Sequence, residues 1–573
     1  MSSRLDGIAA SAGIGIGPAF VHRAEVPEIH AYQVDDRVAE AIRLENAVAM
    51  ALERLERLEA QALAHVGSDA SEIFEAHRMF LEDPSFAGAA VEIVRSQGLC
   101  AQAAISVTAT ELASEFGDIG DEYFAQRAAD IRDIGTLVIR QLLGLGEGGF
   151  THLIEPSVIV AGDLTPSETV SIPSGMALAF VTDVGSPTSH TAILARGLGI
   201  PAVVGISGNR IRSGVTVAVD GDEGTVWIEP DQSTIDSLMR RKSVIDAGRA
   251  RAASHASEPA VTGDGHRIEV VANIANSHDA VRALELGAEG VGLFRTELLF
   301  LDRGAIPTEE EQYESYRQVF DVFGNLPVVV RTLDIGGDKG LPGIDMGEEL
   351  NPFLGKRGVR FTLAEPSLFR TQIRALLRSA VDANLKLMLP MIASLAEIEA
   401  VREQVDRARA ELADEGVPHA VHFEFGIMIE VPAAAITADL LAPHVDFFSI
   451  GTNDLTQYTL AADRTNPAVS SLADPFHPAV LRLIAQTIEA AHAHDKWVGL
   501  CGELAGDPAA APLLLGLGLD EWSMSPPAIA LVKERVRALL REDCRAIAAT
   551  CLQATSPEQV RRILQSVRSN GLV

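Results

Sequence analysis

The chain has 573 residues, a net charge of −32 and 47% hydrophobic content, which predicts three or four domains with sizeable cores. The acidic balance argues against nucleic acid or an anionic membrane surface as partner, no uncharged apolar run reaches bilayer length, and no basic-plus-apolar segment opens the chain. Cys100, Cys501, Cys544 and Cys551 are scattered without metal-ligand spacing, so neither a disulfide framework nor a zinc cluster is expected and the chain suits a reducing cytoplasm.

Residues 1 to about 20 predict a glycine-punctuated strand pair. Gly13, Gly15 and Gly17 suggest a dinucleotide loop, but Pro18 and Ala19-Phe20-Val21 continue as strand where such a loop needs a helix. From Val34 the period changes. Val38, Ile42, Val48, Leu52, Leu55, Leu58 and Ala62 recur at three- and four-residue steps until Gly67. Further helices are predicted over 71–81, 84–96, 101–116 and 121–143, with Asp83-Pro84, Gly98, Gly117 and Gly144 between them. This helical bundle, residues 21–144, holds no catalytic cluster, so its simplest role is to present a surface. His65 and His77 are expected to pack within it.

Short β-rich runs follow over 157–161, 176–182, 202–205, 216–220 and 225–228. Two helical pieces interrupt them, one starting at Pro166-Ser167-Glu168-Thr169 and one after His190. Residues 1–20 and 145–230 therefore predict one small α/β domain into which the bundle is inserted. Residues 231–262 are charged and alanine-rich and predict a linker helix. Within the small domain, Gly185-Ser186-Pro187-Thr188-Ser189 leads into His190 and an apolar, helix-compatible run. Thr188 and Ser189 are capping residues, and the helix N-terminus they open favours an anion. A neutral imidazole there is either a nucleophile towards phosphorus or a capped loop histidine. The triplet by itself leaves both open.

Residues 263–573 contain eight apolar β-type runs alternating with helical patterns: 268–274, 290–295, 328–334, 385–391, 426–431, 447–453, 497–502 and 521–525. Eight strand-then-helix units predict a (β/α)8 barrel, whose functional residues lie at the carboxyl ends of the strands. Those ends carry Asn273, Arg295, Arg331, Asp334, Glu430, Asn453, Asp454, Cys501 and Glu503. Arg295, Arg331 and Arg464 are cations near the ends, and Lys339 and Arg357 lie on the long glycine-rich loop over 334–361. Several such groups at one mouth suit a small ligand bearing both phosphate and carboxylate. Glu430 and Asp454 are hard carboxylates that either bind Mg²⁺ or pair with the arginines as structural ions. Cys501 is either a proton donor at carbon or a small buried hydrophobe.

The motifs, in order, resemble the phosphoenolpyruvate–protein phosphotransferase family, enzyme I of the bacterial sugar phosphotransferase system. Phe74-Glu75-Ala76-His77, Leu81-Glu82-Asp83 and Arg127-Ala128-Ala129-Asp130-Ile131-Arg132-Asp133 resemble its helical domain. Asp163-Leu164-Thr165-Pro166-Ser167-Glu168-Thr169 and Thr188-Ser189-His190 resemble its phosphohistidine domain. Gly292 to Glu297, Arg331 to Lys339, Gly451 to Tyr458 and Cys501-Gly502-Glu503 resemble its barrel. The resemblance implies a multidomain α/β chain: a swivelling phosphohistidine domain with an inserted helical bundle, then a TIM-like barrel. It implies that His190 is the phosphorylated nucleophile, oriented by Thr169. It implies that Arg295, Arg331, Lys339, Arg357, Arg464 and Asn453 hold phosphoenolpyruvate, that Glu430 and Asp454 bind Mg²⁺, and that Cys501 protonates the enolate. The helical domain would dock the phosphocarrier protein HPr and the barrel would form a homodimer. One histidine serving both a barrel and a protein partner requires its domain to move about residues 231–262.

Three residues depart from the family pattern. Ser186 and Thr465 stand where glycine is common, and Lys356 where an aromatic residue is common. None removes a functional group. A phosphoenolpyruvate synthase or pyruvate,phosphate dikinase would need a nucleotide-binding domain for which the chain has no room, and a non-catalytic signalling paralogue would have lost part of the strand-end set.

Overall fold

The first strands run β1 (Ser3–Asp6), β2 (Ile8–Ser11) and β3 (Ile14–Val21). Later come β4 (Ser157–Ala161), β5 (Ala177–Thr182), β6 (Ala202–Val204), β7 (Thr216–Asp220) and β8 (Thr225–Ile228). The predicted N-terminal strand pair does not form. β1 pairs antiparallel with β8 and β2 antiparallel with β6. These pairs lie at the two ends of an eight-stranded sheet ordered β1-β8-β7-β3-β4-β5-β6-β2. A single residue, Gly7, joins strands from opposite ends, so the sheet curls back on itself there. A Cβ on Gly7 would lie 2.7 Å from the Val204 carbonyl oxygen, and only glycine fits that corner.

The computed structural model describes residues 3–23, 29–65, 68–117, 122–145, 150, 153–185, 189–206, 211–301, 305–336, 341, 344, 347, 349–464 and 466–569. It divides into two units, Met1–Ala247 and Gly248–Val573. In the first unit β3 and β4 are parallel neighbours, with Ala19 opposite Val158, and among the described residues five α-helices lie between them in sequence. They are α1 (Arg37–His65), α2 (Ser68–Glu82), α3 (Ala89–Gln97), α4 (Ala101–Gly117) and α5 (Glu122–Leu142). Their apolar stripes close a core that includes Leu44, Leu55, Phe74, Leu81, Phe86, Ile105, Ile131 and Val138. The helix predicted to start at Pro84 begins instead as a π-helical turn, Pro84–Gly88, capped by Asp83, and only then becomes α3.

Two short helices follow the sheet strands, α6 (Pro166–Val170) and α7 (His190–Leu198). α7 is apolar on two sides. Ala192 and Ala195 are buried with the sheet residues Phe180 and Val204, whereas Leu194 is buried in the helical core. Burying a leucine contributes roughly 1.5–3 kcal/mol, so Leu194 gives α7 a firm seat on the bundle. α8 (Gln232–Ser254) is helical within the segment 231–262.

The second unit is a closed parallel barrel. Its strands are β10 (Arg267–Ile274), β11 (Val291–Arg295), β12 (Pro327–Arg331), β13 (Asn384–Leu389), β14 (Glu424–Ile429), β15 (Phe447–Ile450), β16 (Trp497–Leu500) and β17 (Glu521–Met524). Each pairs with the next, and β10 pairs with both β11 and β17 to close the ring. A two-residue strand, β9 (Ala260–Val261), runs antiparallel to β10. The ladders stop up to three residues before the apolar runs do. Leu333 and Ile335, predicted to lie in or beside β12, are buried in a cluster with Phe300 and Phe361 above the barrel. Consequently Asp334, Glu430 and Cys501 stand on the first loop residues after their strands, and Asn453 and Asp454 in the first turn of the helix Thr452–Leu460. Among the described residues, no helix is long and apolar enough to cross a membrane.

The floor of the barrel carries charge. Trp497 stacks on Phe447 with centroids 4.4 Å apart and donates from Nε1 to Glu424 at 2.7 Å. The Lys386 Nζ lies 4.0 Å from the Trp497 ring centroid. Glu521 is 2% exposed, and neither of its carboxylate oxygens has a hydrogen-bond partner among the described residues. Burial pushes its carboxyl up to about 8, against an ordinary value of 4.5. The folded state therefore holds a proton that the unfolded state has released, and stability falls as pH rises from about 4.5 to about 8. Glu521→Gln removes this loss. The variant is expected to match the parent near pH 5 and to exceed its stability increasingly towards pH 8, as read by urea unfolding at several pH values. A stability difference that does not change with pH would show Glu521 to be solvated.

Candidate functional site

His190 is the first residue of α7. Ser189 caps that helix, its hydroxyl accepting from the Ala192 N–H at 3.4 Å. Gly185 has φ +127°, and a Cβ there would lie 3.3 Å from the Ser189 hydroxyl, so the approach to the cap needs glycine. Ser186, Pro187 and Thr188 lie outside the described residues. The His190 side chain is 23% exposed, and its Nδ1 lies 3.5 Å from Oδ1 of Asp130 on α5.

Thr169 lies on α6, buried, and its hydroxyl donates to the Thr165 carbonyl at 2.9 Å. The oxygen lone pairs are what Thr169 has left to offer a neighbouring N–H. α6 is held by a capping box, Thr165 with Glu168. α7 is tied to the segment leading into α6 by Thr191, whose hydroxyl donates to the Leu164 carbonyl at 3.0 Å.

The second centre is the barrel mouth. Arg295 and Arg331 end adjacent strands in direct register. The Arg331 guanidinium reaches Glu297 at 3.0 Å and Asp334 at 3.1 Å. The Arg357 guanidinium reaches Asp334 at 3.0 Å, Asp454 at 3.1 Å and the Tyr458 hydroxyl at 3.2 Å. Arg464 lies 3.6 Å from the other oxygen of Asp454. Burial opposes charge on Asp334, but Arg331 and Arg357 outweigh it and hold its carboxyl below the ordinary range. Gly358, at φ +56°, lets the chain pass this cluster, since a Cβ would lie 3.1 Å from Asp334 Oδ1.

Glu430 is fully buried. Its Oε1 accepts from the Met391 N–H at 2.6 Å, while Oε2 has no hydrogen-bond partner among the described residues. Burial, then the charges of Asp454 and Asp334, push its carboxyl up to about 8. A buried, orphaned carboxylate oxygen beside a second carboxylate is the donor set expected for a hard divalent cation. Among the described residues no group of three or more His, Cys, Asp or Glu side chains is arranged to hold a metal. Two carboxylates still fit Mg²⁺, which retains waters and substrate oxygens as its other ligands.

Cys501 is buried, with its thiol 3.7 Å from the Ile450 carbonyl. Burial pushes the thiol up to about 11, so it is protonated at neutral pH and suited to donate. Asn273, at the end of β10, does not face a ligand. Its amide donates to the Cys501 carbonyl at 3.0 Å and its oxygen accepts from Ser523 at 2.6 Å, so it braces the cysteine. The Asn453 amide lies 3.5 Å from Glu503.

The structure thus brings Arg295, Arg331, Arg357, Glu430, Asp454 and Arg464 to one mouth, with Cys501 in the barrel interior beneath. Lys339 and Thr465 lie outside the described residues. Lys356 places its Nζ 5.4 Å from the Phe361 ring centroid and 3.7 Å from Glu365. Sequence reasoning assigned no role to Glu297 or Tyr458. Tyr458 sits four residues after Asp454 on one helix, and that spacing was the available signal. Glu297 follows Arg295 by two residues and carried no separate signal.

Comparison with known proteins covers nearly the whole chain. The family described as PEP-utilising enzyme, N-terminal, matches residues 6–127, the PEP-utilising enzyme mobile domain matches 153–224, and the PEP-utilising enzyme PEP-binding domain matches 249–541. A phosphoenolpyruvate-protein phosphotransferase of Priestia megaterium is 44% identical over 570 residues, covering 99% of each chain. One of Geobacillus stearothermophilus is 45% identical over 560 residues, covering 97% of this chain and 96% of the relative. One of Haemophilus influenzae is 41% identical over 565 residues, covering 98% of each.

The mouth makes a stability prediction. Arg357→Ala strands Asp334 without one of its two guanidinium partners. Removing one member of a buried ion pair costs about 3–5 kcal/mol. Urea unfolding of the barrel at neutral pH should show a loss of that size, smaller in acid where the stranded carboxyl protonates. A loss below roughly 1 kcal/mol, the scale of an exposed pair, would mean that water already screens the cluster.

Proposed function

The chain belongs to the phosphoenolpyruvate–protein phosphotransferase family, and on that premise we propose that it moves the phosphoryl group of phosphoenolpyruvate to its own His190 and then to a histidine of HPr, releasing pyruvate. The barrel mouth carries this proposal. Two arginines in register, a buried orphaned carboxylate and a protonated buried thiol together match a ligand with phosphate, carboxylate and a carbon to be protonated.

Arg295, Arg331 and Arg464 would grip the phosphate and carboxylate, with Lys339 and the Asn453 amide as further contacts. Arg357 is already shared between Asp334 and Asp454, so its first task is to hold those carboxylates in place. Glu430 and Asp454 would hold Mg²⁺, which when bound disperses charge on the transferring phosphoryl group. A His190 ring nitrogen attacks phosphorus in line, and the bond from phosphorus to the enol oxygen breaks. The electron pair left on the enolate takes a proton at carbon from the Cys501 thiol, giving pyruvate, and the thiolate recovers its proton from water. Thr169 would orient the ring.

The phosphohistidine then passes its phosphoryl group to HPr, docked on the helical insertion, and His190 returns neutral. One histidine serves two sites, so its domain (residues 1–20 and 145–230) would swivel between them about the linker at 231–262. The barrel would dimerise, and the chain would work in the cytoplasm as the first step of phosphotransferase-system sugar uptake.

The two half-reactions separate the roles. His190→Ala should abolish acid-labile ³²P labelling from phosphoenolpyruvate, and retained label would overturn the assignment. Cys501→Ala should slow pyruvate formation by about 10²-fold or more while leaving phosphoryl exchange between HPr and His190 unchanged. Equal slowing of both would make Cys501 a packing residue.

A further inference from the structure

Past the barrel ladder the chain has to find new hydrogen-bond partners. The pairing of β11 with β12 ends at Arg295 and Arg331, yet Thr296, Thr332 and Leu333 are buried, and a buried backbone N–H without a partner is costly. Three successive amides meet this in three ways. The Thr332 N–H donates to the Met388 carbonyl at 2.9 Å, the Leu333 N–H to Oε1 of Gln372 at 3.0 Å, and the Asp334 N–H to Oε1 of Glu297 at 3.1 Å. Gln372 is on the helix Pro366–Ser379 and is fully buried. Its Nε2 donates to the Thr296 hydroxyl at 3.1 Å and to the Tyr316 hydroxyl at 3.3 Å. Thr296 in turn donates to the Arg331 carbonyl at 3.0 Å. Tyr316, on the helix Glu309–Phe323, donates to Oε1 of Gln312 at 3.2 Å, and Gln312 donates to the Pro307 carbonyl at 3.0 Å.

We propose that Gln372 and Tyr316 are positioning residues for phosphoenolpyruvate binding: through Thr296 and Leu333 they fix the carboxyl ends of β11 and β12, and with them the spacing of Arg295 and Arg331. The direction of every hydrogen in the network is set. The Leu333 N–H can only donate, so the Gln372 oxygen faces it and both Nε2 hydrogens are left for Thr296 and Tyr316. Thr296 gives its own hydrogen to Arg331 and Tyr316 gives its hydrogen to Gln312, so each hydroxyl oxygen is there to accept. A buried network satisfied throughout admits one arrangement. Apolar groups of the same shape would be nearly as stable, so stability alone does not call for an amide and a phenol at these positions.

The two strand ends carry different parts of one site. Thr296 lies between Arg295 and Glu297, and Leu333 lies two residues after Arg331 and next to Asp334. Oε1 of Glu297 accepts from both the Arg331 guanidinium, at 3.0 Å, and the Asp334 N–H. A shift of Thr296 or Leu333 therefore moves Arg295, Arg331 and Asp334 against one another. Resting on the proposed function, what suffers is the grip of guanidinium groups from two strands on one phosphate and carboxylate. A misplacement of about 1 Å from a remote change can cost on the order of 10²-fold.

Two measurements on the full chain test this. The first is hydrogen exchange at the Leu333 amide, read by mass spectrometry with fragmentation, and it needs no ligand. That amide is expected to be protected in the parent chain and to exchange about tenfold faster or more in Gln372→Met. A Leu333 amide that exchanges like an exposed loop amide in the parent would overturn the proposal, and this arm requires no variant to fold. The second titrates phosphoenolpyruvate into the His190→Ala chain by calorimetry in the presence of Mg²⁺, so that no phosphoryl group is transferred. Adding Gln372→Met is expected to raise Kd by about tenfold or more, and adding Tyr316→Phe, which removes one hydroxyl, by about threefold. A residue that only packs would lower the urea midpoint and leave Kd alone. Equal Kd in all three chains would overturn the positioning role even with normal ³²P labelling of the parent. The expected losses of affinity without any labelling of the parent would overturn the proposed transfer and leave the positioning role standing.

Discussion

The barrel mouth depends on the carboxylate of Asp334 lying between two guanidinium groups, those of Arg331 and Arg357. Arg331 comes from a strand end and Arg357 from the far side of a long loop, so this one acid fixes the loop against the barrel. Arg357 passes the constraint on to Asp454, and the charges of Asp454 and Asp334 reach Glu430. None of these groups is bathed in water. Each charge is tolerable only because its neighbour is present. A site of this kind is set in position before a ligand arrives, which is what stabilising a developing charge requires.

The same physical device recurs in the first unit. Asp130 is buried and Asp133 largely so, and their partners come from other elements, His77 from α2, His190 from α7 and Ser167 from α6. Burial pushes Asp133 above its ordinary range, with His77 opposing that shift. In the barrel the paired charges tie a loop to a strand. In the bundle they tie one layer of helices to another.

Parts of the site were legible because a fold rule did the work. Once eight apolar runs predicted a barrel, the polar residues ending those runs became a candidate set, and Arg295, Arg331, Glu430, Asp454 and Cys501 came from position alone. The short strands at 216–220 and 225–228 were legible to the residue, since turn residues bound them on both sides. Strand ends at the mouth were not. Apolar residues such as Leu333 and Ile335 continue past the ladder to fill a cluster above it, and hydrophobicity does not say which neighbour a side chain packs on. The N-terminal strands complete the small domain's sheet, but their partners lie beyond local reach: β1 and β2 pair with strands more than 190 residues away in the chain.

Local pattern determined the element types, the eight-unit repeat and the histidine at a capped helix start, because period and capping are properties of neighbouring residues. Tertiary structure alone decided which charges meet. His77 read as a packing histidine until α5 placed Asp130 and Asp133 against it. Glu297 and Tyr458 gained their roles only through Arg331 and Arg357. A side chain's chemistry is written in its type, but its ionisation, its partner and its orientation come from residues far away in the chain, and only folding brings those together.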